Sequence, residues 1–125
     1  MLKIVAWLSL NIVVLGVGAA GYAQNDAEGK KLYTTYCAGC HGDKGKGNGP
    51  AASALPVKPA NLSDGTVMNQ LPDKFLVEIV SKGGVAVGKS PLMPALGNQI
   101  NANQLRDIIA YIRNLADPPY RPDGK

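Results

Sequence analysis

Cys37-Ala38-Gly39-Cys40-His41 gathers both cysteines and the only histidine of a 125-residue chain into five consecutive positions. C-x-x-C-H is the attachment pattern of a c-type haem. Each thiol can add to one vinyl group of the porphyrin, giving two thioether bonds. The two residues between them make one helical turn, so both sulfurs meet the same edge of the macrocycle. His41 is then carried under the iron, where an imidazole is a proximal ligand. Other readings explain less. A zinc site takes four ligands, and two Cys with one His leave it short. A thioredoxin-like pair follows a strand in a βαβ pattern, whereas the residues before Cys37 read as helix. A disulfide across two residues closes too small a loop to gain much.

Upstream, residues 1–23 differ from the rest. Lys3 is a short positive start, and Ile4 to Val17 is largely apolar, interrupted by Ser9 and Asn11. Gly21-Tyr22-Ala23 fits a small-x-small cleavage site. We read residues 1–23 as a signal peptide and 24–125 as one domain. An uncleaved anchor is the alternative, since Ile4 to Ala23 is just long enough to cross a bilayer. Either way the domain is exported to the bacterial periplasm, free or membrane-anchored, and no second hydrophobic span follows. Free cysteines would oxidise there, so thiols consumed by a cofactor suit that compartment.

The whole chain carries 13 basic and 9 acidic side chains; without Lys3 the net charge falls from +4 to +3. Two haem propionates would nearly cancel that. Nucleic acid is not an expected partner: there is no basic run, and the only tryptophan, Trp7, lies in the leader.

Downstream of the leader, Asp26 to Cys40 reads as a helix, with Asp26 as its cap and Glu28 in its first turn. Asp43 to Asp64 holds Gly45, Gly47, Gly49, Pro50, Pro56 and Pro59 and shows no period. A loop that long inside a domain needs a function; wrapping a cofactor supplies one. Leu71 to Lys82 reads as a second helix with Pro72 at its first position, an apolar face of Leu71, Phe75, Leu76, Ile79 and Val80, and Gly83-Gly84 as its stop. Val85 to Gly97 is a second proline-containing loop. Asn101 to Ala116 is the clearest helix: Leu105, Ile108, Ile109, Ile112 and Leu115 form one stripe, and Pro118-Pro119 forbids continuation. No strand pattern appears. Three short amphipathic helices bury little by themselves, so a haem would complete the core and the apo-protein should fold poorly.

A closed electron-transfer haem needs a sixth ligand, and no second histidine exists. Methionine is the natural candidate, because a Met/His pair raises the reduction potential. Met93 lies in Ser90-Pro91-Leu92-Met93-Pro94, braced by prolines on both sides. Met68 lies in Thr66-Val67-Met68-Asn69-Gln70 without such bracing. Any methionine can also simply fill a gap in the core. Met93 is the expected iron ligand, beside His41.

From Asp26 to Leu115 the chain resembles a class I c-type cytochrome of the small bacterial kind. Gly29-x-x-x-Tyr33-x-x-x-Cys37 resembles that family's amino-terminal helix, and Ile108-Ile109-Ala110-Tyr111-Ile112 the carboxy-terminal helix that crosses it. Pro59-Ala60-Asn61-Leu62 resembles the loop whose proline carbonyl accepts a hydrogen bond from the proximal histidine, which implies a contact between Pro59 and His41. The resemblance implies an all-α cytochrome c fold: three main short helices and long loops around one covalent haem c. It departs from the family in lacking a tryptophan near a propionate.

Gly83-Gly84-Val85-Ala86-Val87-Gly88-Lys89-Ser90 matches a phosphate-binding loop letter for letter. That loop needs a strand before it and a helix after it, whereas here a helix precedes and prolines follow. Gly45-Lys46-Gly47-Asn48-Gly49 has the wrong spacing for a dinucleotide fingerprint. Lys44, Lys46 and Lys89 fall in segments expected to border an exposed haem edge, where they would steer an acidic partner; ordinary solvated loop charge is the alternative.

These observations point to an exported, monomeric, single-haem electron carrier, with Cys37 and Cys40 holding the haem, His41 and Met93 on the iron, and no site left for substrate, so not an enzyme. Its partners would be redox proteins, either a membrane oxidoreductase or a periplasmic enzyme. A haem subunit of a larger membrane-associated oxidoreductase is the second reading. A gas-binding or peroxide-reacting protein is the third, and requires that Met93 leave the iron.

Overall fold

The computed structural model describes residues 23–123. The leader expected upstream of that point lies outside the described residues. The first helix, α1, runs Asp26–Tyr36. Its cap is Asn25 rather than Asp26: Asn25 Oδ1 accepts from the Glu28 N–H at 3.1 Å. Asp26 and Glu28 then lie in the first turn, where negative charge complements the helix dipole.

The helix does not continue through Cys40. It breaks at Cys37, whose φ is −114°, and a four-residue helix, α2, resumes at Ala38–His41. The loop that follows holds α2 at its own angle. Gly47 N–H donates to His41 O at 2.8 Å, Gly49 N–H to Cys40 O at 3.0 Å and Ala51 N–H to Gly39 O at 2.9 Å. These bonds need the chain to double back tightly, and Gly42, Gly45 and Gly47 supply it with φ of 82°, 73° and 73°. The segment expected to be a structureless wrap is thus tied to the C-x-x-C-H turn, and it includes a 3-10 turn at Ala52–Ala54.

Three further α-helices complete the described residues: α3 at Gly65–Met68, α4 at Asp73–Lys82 and α5 at Ala102–Asn114. Pro72 is the N-cap of α4, one position earlier than expected, because its ψ of 154° is extended. Gly83, at φ 84°, ends α4 as the sequence implies. A 3-10 turn, Gly84–Val87, follows in place of a phosphate-binding loop. Helix α5 starts with a capping box, in which Asn101 and Gln104 satisfy each other's backbone N–H. No named strand occurs among the described residues; the one isolated bridge pairs Asp64 with Asp117.

The core lies where α1 crosses α5. A Cβ on Gly29 would collide with the Asp107 carbonyl, so only glycine lets the two backbones meet. Tyr33 and Tyr111 pack ring to ring at 5.2 Å beside this crossing, and Ile108 is wholly buried. Asp107 is buried as well and accepts from the Asn25 N–H at 2.9 Å, which places its carboxylate at the start of α1. The α4 helix packs against α5 and against the Gly84–Val87 turn. Between these layers lies a cavity.

Candidate haem site

The cavity is about 470 Å³ in volume, lined mainly by apolar side chains. Cys37, Cys40 and His41 border it on one side. Leu62, Met68, Phe75, Leu76, Val80 and Met93 are among the residues that close it from elsewhere. A chamber lined by aliphatic and aromatic side chains suits a large apolar cofactor.

The geometry of the attachment turn follows from its hydrogen bonds. Cys37 O accepts from both Cys40 N–H (3.2 Å) and His41 N–H (2.9 Å), which keeps two thiols and an imidazole on one turn. Neither thiol is bridged. Burial, then the nearby Cys40, pushes the Cys37 thiol up to about 12. The turn is preceded by helix α1 and no strand is named among the described residues, which argues against the thioredoxin-like reading. No group of three or more His, Cys, Asp or Glu side chains able to hold a bare metal ion occurs among the described residues.

His41 is half-buried, and its Nδ1 lies 2.9 Å from a backbone carbonyl. A carbonyl only accepts, so Nδ1 carries the proton and Nε2 keeps its lone pair for a metal. That carbonyl belongs to Ala60, not to Pro59. The Pro59 carbonyl lies instead against Gly47, where a Cβ would strike it. Pro59 still lines the cavity. Its rigid φ sets the path of the loop, and the carbonyl that reaches the ring is the next one along. A second bond, this one buried, fixes the turn on the other side of His41: Tyr33 Oη donates to Gly42 O at 2.7 Å. Burial, with Cys37 nearby, holds that phenol protonated well above its ordinary range.

Met93 is half-buried and lines the cavity with Ser90, Leu92 and Pro94. Its loop is pinned by its own backbone: Met93 O accepts from Gly84 N–H at 3.0 Å, and Met93 N–H donates to Ser90 O at 3.2 Å. Met68 lines the cavity too and is more deeply buried, at 3 % exposure. Its burial depends on helix α3 (Gly65–Met68), a single turn that leaves no periodicity in the sequence. The lysines are redistributed as well. Lys89 reaches the cavity, together with Lys58, which the sequence did not single out. Lys44 and Lys46 line a separate shallow hollow with Gly42, Asp43 and Asn48.

The residues present therefore fit a haem: two thiols and an imidazole on one turn, an apolar chamber, and a thioether within its lining. Comparison with known proteins agrees. A sequence profile described as Cytochrome c matches residues 27–116. The chain belongs to the cytochrome c family. Among its relatives, the cbb3-type cytochrome c oxidase subunit CcoP of Azospirillum sp. (strain B510) is 34% identical over 113 residues, covering 86% of this chain and 32% of that protein. The cbb3-type cytochrome c oxidase subunit FixP of Bradyrhizobium diazoefficiens is 28% identical over 89 residues, 71% of this chain and 27% of that protein. The chain thus spans about a third of the length of these relatives. A chain of the Kuenenia stuttgartiensis reducing HAO-like protein complex Kustc0457/Kustc0458 superposes with a TM-score of 0.60 at 20% identity, covering 80% of this chain and 50% of that one, a likeness of fold. As a class I c-type cytochrome the domain carries covalent haem c through two cysteines, and the only pair in the chain is Cys37 and Cys40.

Proposed function

We propose that this cytochrome domain is an exported one-electron carrier whose iron is held by His41 and Met93. The observation that carries the reading is that both side chains line the same apolar cavity as the two thiols. The bound haem supplies the ferric/ferrous couple. The chain's own residues do the rest. The bond from His41 Nδ1 to Ala60 O orients the imidazole and strengthens its donor nitrogen. The prolines around Met93 and the Gly84 bond hold the thioether in place in both oxidation states. The aliphatic lining limits water, which keeps reorganisation small and favours a high potential.

The similarity to oxidase subunits favours one second reading: the domain works inside a larger membrane-associated assembly, receiving and passing electrons there. Among the described residues no helix is long and apolar enough to cross a membrane. In either case redox proteins are the partners and the periplasmic side of the membrane is the place. The deciding experiment is the absorption spectrum of the ferrous protein with and without carbon monoxide. An unchanged spectrum is expected. A rapid shift to a gas-bound form would remove Met93 as a firm ligand and the carrier reading with it. Co-purification with a membrane complex would select the second reading.

A further inference from the structure

The family match ends at residue 116, yet the chain continues along the cavity wall. Asp117 N–H donates to Ser63 O at 2.9 Å, and Gly65 N–H donates to Asp117 O at 3.0 Å. Asn69 Nδ2 donates to Pro118 O at 2.9 Å and to Pro119 O at 3.3 Å. Proline carbonyls can only accept, so the Asn69 amide is held with its nitrogen towards the tail. Its buried Oδ1 is left with no hydrogen-bond partner. A Cβ on Gly65 would strike the Pro118 carbonyl, so the tail lies flat on α3 only because that residue is glycine.

Beyond the prolines, the tail covers a buried cation. Arg113 is 6 % exposed, and the Tyr120 ring lies 3.9 Å from its guanidinium carbon. The guanidinium donates from Nη1 to Met68 O at 2.7 Å and from Nη2 to Leu71 O at 2.5 Å. It also pairs with Asp73 Oδ1 at 2.7 Å, at the start of α4. A four-residue helix such as α3 has no stability of its own, and its terminal carbonyls need partners. Arg113 adds a second donor to one of them, Met68 O, beside the Leu71 N–H, and reaches on to Leu71 O in the turn between α3 and α4. Met68 and Leu71, whose carbonyls it holds, line the haem cavity.

We propose that residues 117–120 and Arg113 form a positioning strap that holds the Met68–Leu71 wall against the haem and so helps to set its reduction potential. This rests on reading the cavity as the haem site. Loosening the strap lets the wall move and water in. Water favours the more highly charged ferric state, so the potential falls and outside ligands reach the iron faster.

The test uses the full-length protein with covalent haem. Tyr120→Ala uncovers Arg113; Tyr120→Phe keeps the ring; Gly65→Ala improves helix propensity in α3 while displacing Pro118. Leu105→Ala, on α5 and packed on the core but outside the cavity lining, controls for lost stability. Tyr120→Ala and Gly65→Ala should each raise the ferric-to-ferrous ratio about threefold at fixed ambient potential, about 28 mV at 59 mV per decade. Both should also bind external imidazole faster in the ferric state. Tyr120→Phe should match wild type, and Leu105→Ala should lower the denaturant midpoint without moving the potential. An unmoved potential in both Tyr120→Ala and Gly65→Ala, or an equal shift in Leu105→Ala, overturns the strap. A wild-type chain that takes up no covalent haem overturns the cavity reading itself, and the strap with it.

Discussion

Two walls close on the haem cavity, one carrying Cys37, Cys40 and His41, the other Met68 and Leu71. The attachment wall is tied by short reaches of chain. Tyr33 bonds to Gly42 nine residues on, and His41 to Ala60 nineteen residues on. The facing wall around Met68 depends on bonds that span 45 to 49 residues, from Arg113 to Met68 and from Asn69 to Pro118. The first wall is bonded to the glycine turns that follow it, by backbone bonds from Gly47, Gly49 and Ala51 and by the Tyr33 and His41 side chains. The second is one turn of helix propped by a buried cation and the end of the chain. A rigid wall suits covalent attachment, which must place two sulfurs and one nitrogen together. A propped wall suits tuning, because a distant residue can shift it without undoing the attachment.

Removing the attachment wall's chemistry should have the largest effect. The double variant Cys37→Ser, Cys40→Ser should take up no covalent haem, and its far-ultraviolet circular dichroism should show most helix lost. A well-folded apo-protein would show that the helices pack without the cofactor, against the expectation from their small buried surface. Next, Met93→Ala should keep haem and fold but lose about 2 kcal/mol of stability. Its ferrous form should bind carbon monoxide at once. If it binds gas no faster than wild type, the sixth ligand lies elsewhere, and Met68 becomes the residue to replace.

Smaller still, Tyr33→Phe removes the buried bond to Gly42 O while leaving that carbonyl its second donor, the Gly45 N–H at 3.0 Å. Chemical denaturation should show a loss of about 1 kcal/mol, with no change in potential. A shift in potential would mean that the attachment wall is as adjustable as the facing one, and the contrast between them would collapse. The smallest effect belongs to Asp64, the cap of α3. Its Oδ1 accepts from the Thr66 hydroxyl at 2.5 Å and from the Thr66 N–H at 3.0 Å, which holds its carboxyl below the usual range, the hydroxyl bond contributing most. A depressed carboxylate contributes stability that is fully present above its unfolded value, about 3.9. That contribution is lost as the pH falls through the folded value. Asp64→Asn should therefore flatten the acid limb of the stability profile below about pH 4 and lower stability slightly at neutral pH, where the carboxylate's contribution is fully present. An unchanged acid limb would mean that the cap does not hold α3.

Much of the attachment wall was legible beforehand. The C-x-x-C-H turn, the Gly29 and Tyr33 positions, the α5 stripe and the stop at Gly83 are local patterns, set by spacing or by a residue's backbone limits. Met93 stood out because prolines flank it. Ala60 did not, because any residue can present a carbonyl, and the proline beside it drew the attention. Lys58 reached the cavity while Lys44 and Lys46 did not, since the direction of a loop side chain follows from turns that composition does not report. Arg113 is a basic residue in the last turn of α5, and nothing in its sequence neighbours marks it out. Its burial becomes visible only when Met68, Leu71, Asp73 and Tyr120 converge on it.

From residues alone, then, came the cofactor, its two thiols, the expectation that His41 beside them meets the iron, and an all-helical chain with one core. These are properties of neighbours in sequence, and bond geometry restricts neighbours to few arrangements. The tertiary structure decided which carbonyl orients His41, that Met68 shares the cavity with Met93, and that the tail is a strap on α3. Those depend on segments far apart in the chain meeting in space, where the outcome follows from packing, buried charge and the need to satisfy each buried polar group.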